Sequence, residues 1–195
     1  MNSLNAEQMS PRAPAFPCVF KFSDIRIYIF IAAFVLLDVA VPWALHRLHP
    51  LAGPTFLPLF FFSLLAGLLF GWRVGLLVGL ISPIVGYLVS GSPVLWRLAE
   101  IIIENSVFGF SAGLLAPRLK SSAVWSLLGA LIAGYLALIL AVLIFHPEKV
   151  NPLVWAVQTI QQGWPGIAIQ LVCRPLIIRK LNDWLSKRNQ RANNG

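Results

Sequence analysis

Charge is what this sequence has least of. Only 11% of its 195 residues are Asp, Glu, Lys or Arg, and seven of those are acidic, against 58% hydrophobic residues. With a mean hydropathy of +0.78, that scarcity excludes an ordinary soluble domain and points to an integral membrane protein. Cysteine is limited to Cys18 and Cys173. The topology argued below puts both near the cytoplasmic side, where thiols stay reduced, so neither a disulfide nor a metal site is expected. The nucleotide-cradling motif G-x-x-x-x-G-K-[S/T] is absent, as are H-E-x-x-H, a Cys/His cluster and G-x-S-x-G. ATP hydrolysis by a P-loop, zinc hydrolysis and serine hydrolysis therefore have no motif here. No cofactor is called for.

What is present is a series of apolar segments, separated by well-marked breaks. Candidates for spanning run roughly over 25–45, 57–72, 73–90, 96–117, 123–145 and 163–181, at about 20 apolar residues per helix and fewer where a helix is shielded. Between them stand His46-Arg47-Leu48-His49-Pro50, Gly71-Trp72-Arg73, Ser90-Gly91-Ser92-Pro93, Pro117-Arg118-Leu119-Lys120 and His146-Pro147-Glu148-Lys149. The expected fold is all-α, a compact bundle of six transmembrane helices. Residues 1–24, with Pro11, Pro14 and Pro17, lack the short apolar core of a signal peptide and read as a cytoplasmic tail. Residues 25–181 then form the membrane domain, and residues 182–195 a basic cytoplasmic tail.

Orientation follows from the basic residues. With the N-terminus inside, Arg12, Lys21, Arg26, Arg73, Arg118, Lys120, Arg174, Arg179, Lys180, Lys187, Arg188 and Arg191 are cytoplasmic, which leaves only Arg47, Arg97 and Lys149 outside. Twelve against three places both termini in the cytoplasm. The net charge of +8 is then a consequence of topology, and the run Lys187–Arg191 is an anchor at anionic membrane lipid rather than a nucleic-acid site.

The polar residues that remain inside the apolar segments carry the functional reading. In LWRLAEIIIENSVFGFSAGLLAPRLK (95–120), Glu100, Glu104 and Asn105 fall in the first half of a membrane-length helix. Each carboxylate costs roughly 2.5–3.5 kcal/mol at a bilayer centre, and the pair at i and i+4 shares one face. They lie one and two turns below Trp96, about 6 and 12 Å in by the rise of a helix. A pair so placed is suited to hydrogen-bonding a heterocycle, one carboxyl donating and the other accepting, with Asn105 adding a contact and Phe108 an apolar floor. The last external loop, 146–163, is the longest. Its Trp155, Gln158, Gln161, Gln162 and Trp164 alternate with apolar residues like a short surface-lying helix, of a kind that lids a pocket; an interfacial aromatic belt explains Trp155 and Trp164 equally well.

Two stripes of small residues complete the pattern. Gly71, Gly75 and Gly79 recur every four residues and let another helix approach closely. Ala33, Ala40 and Ala44, with Leu37 between, share a face of the first helix; that face serves either docking to another membrane protein or internal packing.

The chain resembles the substrate-binding S components of the energy-coupling factor (ECF) transporters. The likeness rests on LAGLLFGWRVGLLVGLISPIVGYLVSG, on ENSVFGFSAGLL and on GWPGIAIQLVCRPLI, in that order. It implies a solute site near the outer face, roofed by external loops and walled by helices four to six, in a multi-pass protein of the bacterial cytoplasmic membrane. Its solute would be a vitamin or related heterocycle. By motif, Glu104 stands at the acidic position of helix four, and Gly163–Gln170 matches the entry to helix six, which adds Gln170 to the site. Leu57-Pro58 is followed by Leu59-Phe60, where family members often carry Met-His, and the alanine stripe includes Pro42. The resemblance also implies partners that supply the missing ATPase, namely a transmembrane coupling protein and ABC ATPases. Two other readings stand beside it. One is an intramembrane enzyme using Glu104 or Asp38 as acid or base, and the other a small channel or structural membrane protein.

Overall fold

A computed structural model describes residues 24–48, 58–116, 123–146 and 151–193. It contains six helices among these residues: α1 (Ile25–Leu48), α2 (Pro58–Phe70), α3 (Trp72–Ser90), α4 (Leu95–Leu115), α5 (Ala123–Phe145) and α6 (Pro152–Asn193). None of the described residues is in a strand, as lipid requires of a chain that satisfies its backbone locally. Among the described residues, four stretches are long and apolar enough to cross a membrane: Ile25–Ala44, Trp72–Ser90, Leu95–Leu115 and Val124–Phe145; Phe60–Phe70 is a shorter apolar helix. The expected breaks after Arg47, at Gly71, at Gly91, after Pro117 and after His146 all fall at or beside helix ends.

α4 is the centre of the bundle and packs against α2, α3 and α5. α1 lies on α2 and α3, and α6 lies mainly on α5. The seam among α2, α3 and α4 is backbone against backbone. A methyl group added to Gly67 or Gly75 would run into the Gly109 carbonyl, one on Gly109 into Gly75, and one on Gly113 into the backbone of Trp72. One turn outward, a methyl on Gly79 would meet the carbonyl of Asn105. Small residues at helix contacts do this in membranes because dispersion between close backbones replaces the missing hydrophobic drive.

Gly71 differs from its expected role in the glycine stripe. It sits between α2 and α3 with φ 87°, and its N–H bonds to the Gly67 carbonyl at 2.9 Å, so it makes the turn and Gly75 and Gly79 make the packing face. Gly91 likewise ends α3 in the left-handed region with φ 68°, its N–H bonded to Tyr87 O.

The apolar interior has two main parts. Ile27, Ile31 and Val35 of α1 meet Leu65, Leu69, Phe70 and Val74 on one side, with Phe30 stacked on Phe70 at 4.1 Å between ring centroids. Phe60, Leu64 and Leu68 meet Phe108, Ala112, Leu127 and Leu131 on the other.

The last helix corrects a further expectation. In place of a separate lid helix followed by a span beginning at 163, α6 runs unbroken from Pro152 to Asn193. Its start is fixed by Asn151, whose Oδ1 accepts from the N–H groups of Leu153 and Val154 at 3.0 and 3.4 Å, with proline at the first helical position. Gly163, where the last span was expected to begin, and Gly166 are buried on the same face as Ala156 and Gln170. They pack, and the helix continues through them. Part of the segment beyond residue 181 is accordingly helical, as far as Asn193.

Candidate functional site

The N-terminal half of α4 carries Arg97, Glu100, Glu104 and Phe108 at spacings of three and four, so one stripe of the helix presents all of them. Glu100, Glu104 and Phe108 are each 1% exposed. The stripe faces α5, whose C-terminal end brings His146 within 2.7 Å of Glu100, Nε2 to Oε1. Arg97 Nε stands 4.0 Å from the other oxygen, Oε2. Antiparallel packing of α4 on α5 makes this meeting possible, since the first turn of one helix lies beside the last turn of the other.

Above this pair is a cap of rings. Trp96 lies edge-on to the His146 imidazole at 6.1 Å and tilted against Trp155 of α6 at 6.0 Å. The Arg97 guanidinium is 4.9 Å from the centre of the Trp155 ring, a cation–π contact that holds the start of α6 to the start of α4. Trp155 Nε1 is buried with no hydrogen-bond partner. Beneath the pair is a floor: Phe108 meets Tyr135 edge-to-face at 5.6 Å and Phe60 at 5.2 Å. Gly134 gives Phe108 its room, because a methyl there would overlap the ring.

Between cap and floor lies Glu104. Its Oε1 is buried without a hydrogen-bond partner, and Arg97, Glu100 and Tyr135 are within electrostatic reach of it. The arrangement, called the chamber below, is a buried polar cluster between indoles at one end and phenyl rings at the other, in which both oxygens of Glu100 and Oε1 of Glu104 are without a hydrogen-bond partner among the described residues.

Of the residues expected from the sequence, the structure gathers Glu100, Glu104, Phe108 and Trp155. Asn105 is fully buried with both amide atoms unpartnered. It lies about 100° around α4 from Glu104, at the level where Gly79 of α3 meets its backbone. Gln158, Gln162 and Trp164, together with Gln161, are on the exposed face of α6 and are not brought to the chamber. Alternation of polar and apolar residues suggested a lid lying flat, whereas an upright helix turns that polar side outward. Gln170 is buried, about 22 Å further along α6 than Trp155 by helical rise, where Ile167 and Leu171 pack on the cluster that contains Phe60 and Phe108.

Two residues of the chamber were not singled out by sequence. His146 was read only as a boundary residue, and its match in depth with Glu100 becomes visible once α4 and α5 are known to be antiparallel neighbours. Tyr135 stands alone in an apolar helix with nothing in its spacing to mark it. Asp38 is elsewhere: it is fully buried and accepts a hydrogen bond from Ser63 Oγ at 2.9 Å, with α2 and α3 between its helix and α4. Ala33, Ala40 and Ala44 are all exposed, whereas Ile27, Ile31, Val35 and Asp38 form the inward face of α1. Among the described residues, no three His, Cys, Asp or Glu side chains converge as a metal site would require. Cys173 is a free, half-buried thiol; Cys18 lies outside the described residues, as do His49 and Pro54 of the first external loop.

Residues 21–178 match the family model described as ECF transporter, substrate-specific component. No curated protein and no solved structure matches the chain.

Proposed function

The chain belongs to the substrate-specific components of ECF transporters, and from that premise we propose that it is the high-affinity micronutrient-binding subunit of an ECF-type ABC uptake transporter. Its solute is a vitamin or related heterocycle, taken up across the bacterial cytoplasmic membrane. The observation that carries this reading beyond the family is the chamber under Trp96 and Trp155, where Glu104 is buried with an unpartnered oxygen. A binding subunit needs such a site, and a purely structural bundle would gain by replacing the residue with an apolar one.

In this reading all six helices span the membrane and both termini are cytoplasmic. The chamber then opens at the outer face, between the start of α4, the end of α5 and the start of α6. Solute entering past the Trp96–Trp155 edge exchanges water for the carboxyl of Glu104 and rests on Phe108. With no nucleotide-binding motif of its own, the chain depends on a transmembrane coupling protein and two ABC ATPases to move what it has captured.

The test begins with the molecule that co-purifies with the detergent-solubilised chain, identified by mass spectrometry. Cells making the chain alone should bind the radiolabelled form of that molecule without accumulating it. Coexpression with a coupling subunit and its ATPases should produce accumulation. Uptake by the purified chain alone in liposomes, without ATP, would overturn the proposal.

A further inference from the structure

A polar layer crosses the bundle one turn from its tightest glycine contact. Gly67, Gly75 and Gly109 meet backbone to backbone. Four residues from each, toward the end that carries Trp96, stand Ser63 on α2, Gly79 on α3 and Asn105 on α4. A step of four keeps each of them on the face that makes the contact, and Gly79 meets the backbone of Asn105 there. Asp38 of α1 reaches the same level, since Ser63 Oγ donates to its Oδ2 at 2.9 Å. On α3, Ser82 follows Val78 by one turn, as Asp38 follows Val35 on α1, and Val35 and Val78 belong to one apolar cluster. Asp38, Ser63, Ser82 and Asn105 are all fully buried.

The layer is rich in oxygen that the chain leaves unused. Ser82 Oγ and both amide atoms of Asn105 are buried without a hydrogen-bond partner. Pro83, inside α3, has no N–H to give to the Gly79 carbonyl four residues before it. Open polar groups in an apolar interior cost free energy that a ligand can return. The set comprises a carboxylate, two hydroxyls, an amide oxygen and a peptide carbonyl, all hard oxygen ligands, which suit a hard cation. One carboxylate balances a single positive charge. The backbone contact of Gly79 with Asn105 keeps the layer narrow, which favours a small ion. The sequence gave no metal expectation because it was searched for cysteine and histidine ligands, which an alkali ion does not use.

We propose that this layer binds one sodium ion, which fastens α1, α2, α3 and α4 together. Asp38 supplies the charge, and Ser63, Ser82, Asn105 Oδ1 and the Gly79 carbonyl supply neutral oxygens. The Ser63 hydroxyl can donate to Asp38 and still offer a lone pair to the ion. A water in the ion's shell accepts from Asn105 Nδ2. A carbonyl released from its helix is a ligand of the kind that membrane helices use for sodium. The site is separate from the chamber, because Glu104 lies about 100° around α4 from Asn105.

The test uses the full-length chain purified in detergent without sodium, melted in choline, potassium or sodium chloride at equal ionic strength. Saturating sodium should raise the melting temperature by roughly 5 °C over choline, and potassium by less than half as much. Equilibrium dialysis of the wild type against radioactive sodium should give one ion per chain. Asp38→Asn should lose the sodium shift, Ser82→Ala should need roughly fivefold more sodium for half the shift, and Glu104→Gln should keep the full shift. Equal melting in sodium and choline, with no sodium retained on dialysis, would show that the layer holds water only and overturn the proposal. Equal shifts in sodium and potassium would overturn the choice of ion. A sodium shift kept in Asp38→Asn and lost in Glu104→Gln would put the ion in the chamber and sink the layer as its site.

Discussion

His146 Nε2 lies 2.7 Å from Glu100 Oε1, so the last turn of α5 is tied to the first turn of α4 by a contact that is almost entirely buried on the glutamate side. Arg97 adds a weaker contact at 4.0 Å on the same carboxylate. Removing one partner of a buried pair costs more than the pair contributes, because the other is left uncompensated. His146→Ala should therefore lower stability by about 1–3 kcal/mol, read as a fall in melting temperature of the purified chain. Glu100→Gln/His146→Ala should lose clearly less than the sum of the two single changes. Additive losses would show that the two side chains do not act on each other.

The glycine seam gives a sharper contrast. Gly109→Ala places a methyl on the Gly75 carbonyl, backbone against backbone, with no side chain free to move aside. Gly91→Ala has open space around it and meets only the cost of a positive φ, about 1–2 kcal/mol. Gly129→Ala would press on the end of the Leu115 side chain, which can turn away. The expected order of melting temperatures is Gly129→Ala near the wild type, Gly91→Ala somewhat below, and Gly109→Ala far below or failing to accumulate in the membrane. A Gly109→Ala chain as stable as Gly91→Ala would mean that α3 and α4 are not in backbone contact.

The parts of this arrangement that were legible in the sequence are those set by the bilayer. Apolar runs and their polar breaks located the first five helices, because lipid tolerates few alternatives. Glu100, Glu104 and Phe108 fell on one inward stripe because burial at that depth leaves little else for a retained charge to do. What the sequence concealed depends on neighbours. Gly71 has the spacing of a packing residue and the conformation of a turn, and the spacing alone does not separate the two. Gly163 falls where the polar loop was expected to end and a new span to begin, yet it and Gly166 are buried inside one continuous helix. Gln158, Gln162 and Trp164 were grouped with Trp155 by proximity in the chain, and the upright helix separates them by face. His146 and Tyr135 belong to the chamber only because α5 packs against α4.

The buried pair Asp38–Ser63 is a second place where a polar group inside the membrane has a specific partner, at 2.9 Å. Ser63→Ala removes this donor from Asp38. The loss should be about 1–3 kcal/mol of stability with solute binding unchanged, since α2 and α3 separate this pair from the chamber. A binding defect as large as that of Glu104→Gln would connect Asp38 to the chamber and revive its pairing with Glu104 in an acid–base role.

Topology is open to a direct measurement. With the native cysteines replaced, a single cysteine at residue 195 should be shielded from a membrane-impermeant maleimide in intact cells and react once the cells are opened. One at residue 95 should react from outside. The asymmetry of twelve basic residues against three underlies both expectations. Labelling of residue 195 from outside would invert the bundle and put the Trp96–Trp155 edge at the cytoplasmic face.

The exposed alanines of α1 separate capture from transport. Ala33, Ala40 and Ala44 point away from the bundle, whose inward face on α1 is made by Ile27, Ile31, Val35 and Asp38. Ala40 and Ala44 are exposed among the described residues, so Ala40→Trp and Ala44→Trp should fold and should bind the co-purifying molecule with wild-type affinity. If the stripe is where the coupling protein docks, the same variants should lose most of their partner-dependent uptake, because a smooth face is what lets a second helix come close. The control lies off the stripe: Ala32 is also exposed on α1 and stands about 100° around the helix from Ala33, so Ala32→Trp adds the same bulk without changing the stripe. Uptake lost equally in Ala32→Trp would show that any added bulk on α1 disturbs transport. Binding and uptake lost together in Ala40→Trp would show that the stripe serves the chain's own packing, and the docking surface would have to lie on another helix.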